Sequence, residues 1–381
     1  MNYLSILSIW PFFLGLISTL ILASKLNTII PSEDIKNKYI FLTGLRSILA
    51  LGVLYHHAVI MYYFYQTGKW DVPPSSFYTI LGQLSVAVFF SLTSFLFFSK
   101  ILSSNKKILF TKFIVGRIKR IGPAYILASM LIIISILIKS HLNITEPLSK
   151  FIEHSLVFLL SLGSLEVLSI NESNPNDFGA SVFWTLRYEW KFYILIPAIA
   201  ILYKYKYARN TLATIVATYI TFRIFRNYDS LPHSLLFIPG ILAAHLNISQ
   251  YKLPKKFQTY ALILCPLSIL LIFILFKTIY TFPAFFLLCI FFVTIFHLPK
   301  RNYIYRFLEH KSALFIGTIS YSIYLLHLIV LNAAFSFVNQ FEKISRLTAV
   351  NFWIMILCLT YLTVFLSYLS FKYIEYPFMK K

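Results

Sequence analysis

The sequence predicts an all-α polytopic membrane protein of eleven spans. Three observations carry this. Of 381 residues, 59% are hydrophobic and only 12% charged, whereas soluble domains carry about 25% charged residues. Apolar runs near 20 residues, the length a bilayer core demands, recur along nearly the whole chain. The 38 Phe and 26 Tyr suit lipid-facing surfaces and interfacial belts. A formal net charge of +21 would otherwise suggest nucleic acid. The basic residues, however, lie mostly in short loops between apolar runs, which is a topology signal. No nucleic-acid partner is expected, and lipid is the expected surrounding.

The first span is residues 4–24. It lacks a basic leading region and a small-residue cleavage site, so it reads as a retained helix rather than a signal peptide. Ten further runs follow at 39–63, 79–99, 121–138, 184–203, 210–222, 232–248, 258–276, 279–297, 313–336 and 348–371. Residues 151–168 are apolar but short and interrupted by Glu153, Gly163 and Glu166. They suit a re-entrant or interfacial segment, or a twelfth span. The chain divides into an N-terminal helix with its loop, 1–38, and one membrane domain, 39–381. Cys265, Cys289 and Cys358 fall in apolar runs, and no spacing suggests a metal site or a disulfide framework.

The positive-inside rule orients this map. With the 100–120 loop in the cytoplasm, alternation places 23 Lys and Arg on that side and 8 on the other. The C-terminus is then cytoplasmic. The long outer loop, 139–183, carries Glu146, Glu153, Glu166, Glu172 and Asp177, as a solvated face or part of a binding mouth.

Ionisable residues inside a span are costly and mark function by default. Arg46 and His57 share the span 39–63 with ten residues between them. Eleven positions bring a helix within about 20° of whole turns, so both side chains lie on one face, about 16 Å apart along the axis. The span thus offers a cation towards the cytoplasm and a general base towards the outside. The blander alternative is a snorkelling Arg and a packing His. His56 points about 100° away from His57 and reads as packing or interfacial. Glu189, in the oppositely directed span 184–203, sits at a depth similar to that of His57. It is the candidate to orient that base, as nucleophile activation requires. Its structural alternative is an ion pair with Arg187 or Lys191. Lys112, Arg117, Lys119 and Arg120 lead into the span 121–138, either as a topology determinant facing anionic headgroups or as a phosphate platform for a nucleotide-containing donor. His327, with Tyr321 and Tyr324, is a candidate for the reaction cavity. His297 reads as interfacial, and Glu375 as a partner of the basic inner loops.

Six blocks, in order, resemble the acyltransferase-3 family of integral membrane acyltransferases. They are GLRSILALGVLYHH (44–57), SVAVFFSLTSFLF (85–97), RIKRIGPAY (117–125), WTLRYEWKFYILIP (184–197), ISYSIYLLHLIV (319–330) and YIEYPF (373–378). The resemblance covers the chain from about residue 39 onwards. It implies a ten-helix acyltransferase core after the extra N-terminal helix. It also implies transfer of an acetyl or other short acyl group from acetyl-CoA to a hydroxyl of an envelope polysaccharide or lipopolysaccharide, in the bacterial inner membrane. The family's Arg-(ten residues)-His signature falls on Arg46 and His57, its carboxylate on Glu189 and its basic motif on Arg117 and Arg120. There are departures. Thr43 stands where an Asp is common, Thr93-Ser94 replaces a Ser-Gly, and Trp190 replaces a second Glu. A secondary transporter or flippase would also suit eleven spans with buried charges, but the paired broken repeats of many transporters are not visible.

Overall fold

The computed structural model describes residues 5–25, 39–103, 110–203, 205–226, 231–248, 255–299 and 302–379. The helices in the first half of the chain are α1 (Trp10–Lys25), α2 (Phe41–Thr67), α3 (Ser76–Ser103), α4 (Phe110–Lys139), α5 (Leu148–Leu160), α6 (Trp184–Tyr203) and α7 (Lys206–Phe225). There follow α8 (Ile238–Ile248), α9 (Lys255–Leu275), α10 (Phe282–Thr294), α11 (Tyr303–Leu308), α12 (Lys311–Thr318), α13 (Ser320–Phe341), α14 (Ala349–Ser370) and α15 (Tyr376–Met379). A π turn, Phe371–Glu375, joins the last two. Among the described residues there is no strand, only an isolated bridge between Ile170 and Ser173. The loop charges Lys36, Lys38, Lys106, Lys107, Lys204, Lys252, Lys300, Arg301, Lys380 and Lys381 lie outside the described residues.

Each run of the eleven-span map is mostly helical, yet six helices among the described residues are long and apolar enough to cross a bilayer: α2, α3, α4, α9, α13 and the stretch Ala349–Met379. The shortfall has local causes. Helix α6 carries Arg187, Glu189 and Lys191 within two turns. Helix α1, at 16 residues, reaches only about 24 Å. The run 232–248 opens as a 3-10 turn, His233–Phe237, before α8 begins. Residues 151–168 form no span either. Helix α5 has 13 residues, about 20 Å against a hydrocarbon core of about 30 Å. Its Leu148, Ile152, Leu156 and Leu160 are all exposed, one every four residues. That is a single apolar stripe, the pattern of a helix lying in the interface.

The chain forms two compact units. The first takes residues up to Ser85, Val115–Arg187 and Tyr303 onwards; the second takes Val86–Ile114 and Tyr188–Asn302. In the first, α2 is the central helix, packed on α12, α13, α11 and α1. Apolar almost all round, it is buried almost all round.

In the second unit the irregular start of α8 is satisfied by hydroxyls. Ser91 Oγ donates to the Leu236 carbonyl at 2.9 Å and Ser94 Oγ to that of Phe237 at 2.6 Å. Broken backbone at membrane depth survives only where protein re-satisfies it. Thr93-Ser94 lacks the glycine of the Ser-Gly it replaces, and the structure supplies one from the opposite side. A Cβ on Gly240 would lie 1.9 Å from the Ser91 carbonyl oxygen. Gly240→Ala is therefore expected to cost about 1–3 kcal/mol through overpacking. Thermal unfolding in detergent reads this, and an unchanged midpoint would refute the close approach.

Candidate active site

Arg46 and His57 both project from α2, and both are half-buried. What stands beside His57 comes from α13. The Nδ1 of His57 lies 3.0 Å from Nε2 of His327, and the rings are 5.1 Å apart. His327 is fully buried, and its Nδ1 donates to the Ile323 carbonyl, one turn back, at 3.0 Å. His56 is buried and donates through Nδ1 to the Tyr78 carbonyl at 2.8 Å, the packing role that its direction suggests. Beyond Gly68, which closes α2 at a φ of 70°, the indole of Trp70 lies over the His57 ring. Their centroids are 6.1 Å apart and their planes 22° apart. Spacing along the chain does not reveal Trp70, because only the reversal after Gly68 brings it back.

The two tyrosines of α13 are committed to backbone. Tyr321 donates its hydroxyl to the Ile121 carbonyl at 3.1 Å, which ties α13 to α4 beside the basic cluster. Tyr324 donates to the Val182 carbonyl at 2.8 Å, and its oxygen lies 2.9 Å from Thr185 Oγ1. The segment 175–187 is thereby held on α13. Gly179 permits the contact. At a φ of 119° it takes a conformation that side chains avoid, and a Cβ there would lie 3.0 Å from the Ile329 backbone nitrogen.

That segment walls a cavity of about 210 Å³. Phe158, Phe183 and Trp184 line it together with Asn176, Glu166 and Arg187. Arg187 pairs with Glu166 at 3.2 Å, so the structural partner of Arg187 is Glu166. The acidic loop is thus not uniformly solvated. Glu166 is exposed, whereas Glu146 is buried, accepts from the Asn171 backbone at 2.5 Å and faces Lys150 at 3.6 Å.

Of the basic cluster, Arg117, Lys119 and Arg120 are half-buried on α4 and Lys112 is exposed. Arg120 acts electrostatically on Glu375, a buried carboxylate in the π turn that accepts a hydrogen bond from Ser322. Glu189 belongs to the second unit. There it is half-buried and accepts from the Tyr193 hydroxyl, one turn on, at 2.7 Å, while Lys191 lies over the Tyr188 ring at 5.6 Å.

This arrangement can move a proton. A neutral imidazole has one N–H and one lone pair. The Ile323 carbonyl only accepts, so the His327 proton is on Nδ1 and its Nε2 is an acceptor. His57 Nδ1 must then donate, and the lone pair of His57 resides on Nε2. A carbonyl can only accept, so the Val53 carbonyl, one turn back from His57, shares the same Nδ1 proton.

A family model described as an acyltransferase domain, that of the acyltransferase-3 family, matches residues 39–372. Comparison with curated proteins and with solved structures finds no match.

Proposed function

The chain belongs to the acyltransferase-3 family, a family of membrane acyltransferases, and from that premise we propose that it moves an acetyl or other short acyl group from acyl-CoA to a hydroxyl of an envelope glycan. The observation that carries the reading is one helix, α2, holding Arg46 and a histidine whose Nε2 is left as the basic nitrogen. Arg46 binds the donor as a cation, and Arg117, Lys119 and Arg120 form its phosphate platform. Glu189 keeps its place as a reaction carboxylate on the sequence resemblance alone. The acceptor is a sugar hydroxyl, and the cavity walled by the 175–187 segment, with aromatic residues and a charged pair, suits the approach of a sugar ring.

The membrane of this reading is the bacterial inner membrane, with the C-terminus and the donor in the cytoplasm. About 16 Å of helix separate Arg46 from His57, a span comparable to an extended pantetheine arm. The acyl group then crosses within the protein, and the acceptor arrives from outside.

Sidedness is tested with purified protein in sealed, oriented vesicles, with acetyl-CoA on one face and glycan on the other. Acetylated glycan is expected when the faces are opposite. Product only when both substrates share the cytoplasmic face would refute transmembrane transfer. Glycan movement with no acetylation would favour a flippase.

A further inference from the structure

We propose that His327 is a positioning residue for acyl transfer, whose Nε2 accepts the Nδ1 proton of His57 and so, together with the Val53 carbonyl, holds His57 in the tautomer that is basic at Nε2. This rests on reading His57 as the base, and adds what makes it one. Both nitrogens of His327 are used, Nδ1 on Ile323 and Nε2 on His57. It therefore has no polar atom left for a substrate, and its full burial keeps it from one.

The division of labour follows from the two bonds. A base needs a partner on its far nitrogen, because that partner decides which nitrogen carries the proton. Ser-His-Asp sites use a carboxylate for this. Here a neutral imidazole, anchored by its own i−4 carbonyl, stands in that place. During transfer the acceptor hydroxyl oxygen attacks the thioester carbonyl carbon, and its proton passes to Nε2 of His57. The new C–O ester bond forms, the C–S bond breaks, and the departing thiolate takes the proton from Nε2. No oxidant or further reactant is needed. While His57 carries both protons, its Nδ1–H bond to His327 becomes charge-assisted, and such bonds are roughly twice as strong as neutral ones. The contact therefore tightens as the reaction proceeds, which is the kind that raises kcat rather than affinity.

The same set of residues tells against a purely structural reading. Helix α13 packs directly on α2 and is fastened elsewhere by Tyr321 and Tyr324, at Ile121 and at Val182. Holding the helices together does not require an imidazole at position 327.

The test compares His327→Phe, which keeps a ring but removes the acceptor, with His327→Gln, whose amide oxygen can accept. Nitrogen-15 NMR of histidine-labelled protein, with His57 assigned by its loss in His57→Ala, reads the tautomer directly. Wild type and His327→Gln should show His57 protonated at Nδ1, whereas His327→Phe, with the Val53 carbonyl as the remaining Nδ1 acceptor, should show a larger share protonated at Nε2. In acetyl transfer, His327→Phe should lose about 10²-fold in kcat with KM for acetyl-CoA unchanged, and His327→Gln should recover most of it. A wild-type His57 protonated at Nε2 overturns the proposal whatever the variants do. So does unchanged kcat in His327→Phe, a loss confined to KM, or equal loss in a well-folded His327→Gln. If the protein proves to transfer nothing, the tautomer still reports on His327, and only the reading of the reaction fails.

Discussion

His57→Ala is expected to abolish acyl transfer while the protein still accumulates in the membrane. General-base catalysis is worth about 10²–10⁴-fold, and among the described residues neither neighbouring histidine reproduces the position of His57. His327 is fully buried and keeps its own proton on the Ile323 carbonyl, and His56 spends its Nδ1 proton on Tyr78. The substitution also leaves the Nε2 of His327 without its donor, and an unsatisfied buried acceptor costs about 1–3 kcal/mol. Accumulation and thermal stability must therefore be measured beside product. Turnover within tenfold of wild type by a stable His57→Ala protein would remove His57 from the mechanism.

The second large effect is expected at Arg46. Arg46→Lys keeps the charge and loses the planar fork that meets phosphate or carbonyl oxygens in pairs. A hydrogen bond to a charged group is worth about 1.5–3 kcal/mol, so losing one should raise KM for acyl-CoA roughly ten- to hundredfold. Steady-state kinetics with varied donor decide it. Equal KM values would show that the site uses charge alone, and the fork argument would fall.

Much of this site is legible along one helix. The phase of residues 46 and 57 puts both on one face, and the direction of His56 separates it from its neighbour. The pairing of His57 with His327 is not legible, because no spacing rule joins helices 270 positions apart. Spacing instead points to Glu189, whose depth in its span resembles that of His57; the neighbour supplied within the first unit is His327. Arg187 finds Glu166 through the fold of the intervening loop, and so do the walls of the cavity. The helices are legible because hydropathy is local. The number of spans is not, because hydropathy cannot show that the run 232–248 starts as a 3-10 turn held by Ser91 and Ser94, or that the helix entering 151–168 stops at Leu160.

The indole over His57 has an energetic consequence. In the resting protein it faces a neutral ring, and the contact is ordinary stacking. In the mechanism proposed above, proton transfer to His57 would set a delocalised cation against the π-electron face of Trp70. Tryptophan is the strongest aromatic partner for a cation, at about 0.5–1 kcal/mol when exposed and about 2 when desolvated. That attraction is absent before proton transfer and ends when the thiolate is protonated. In that mechanism Trp70 is a transient counter-charge that carries no charge itself, supplied by an exposed ring beyond the end of α2.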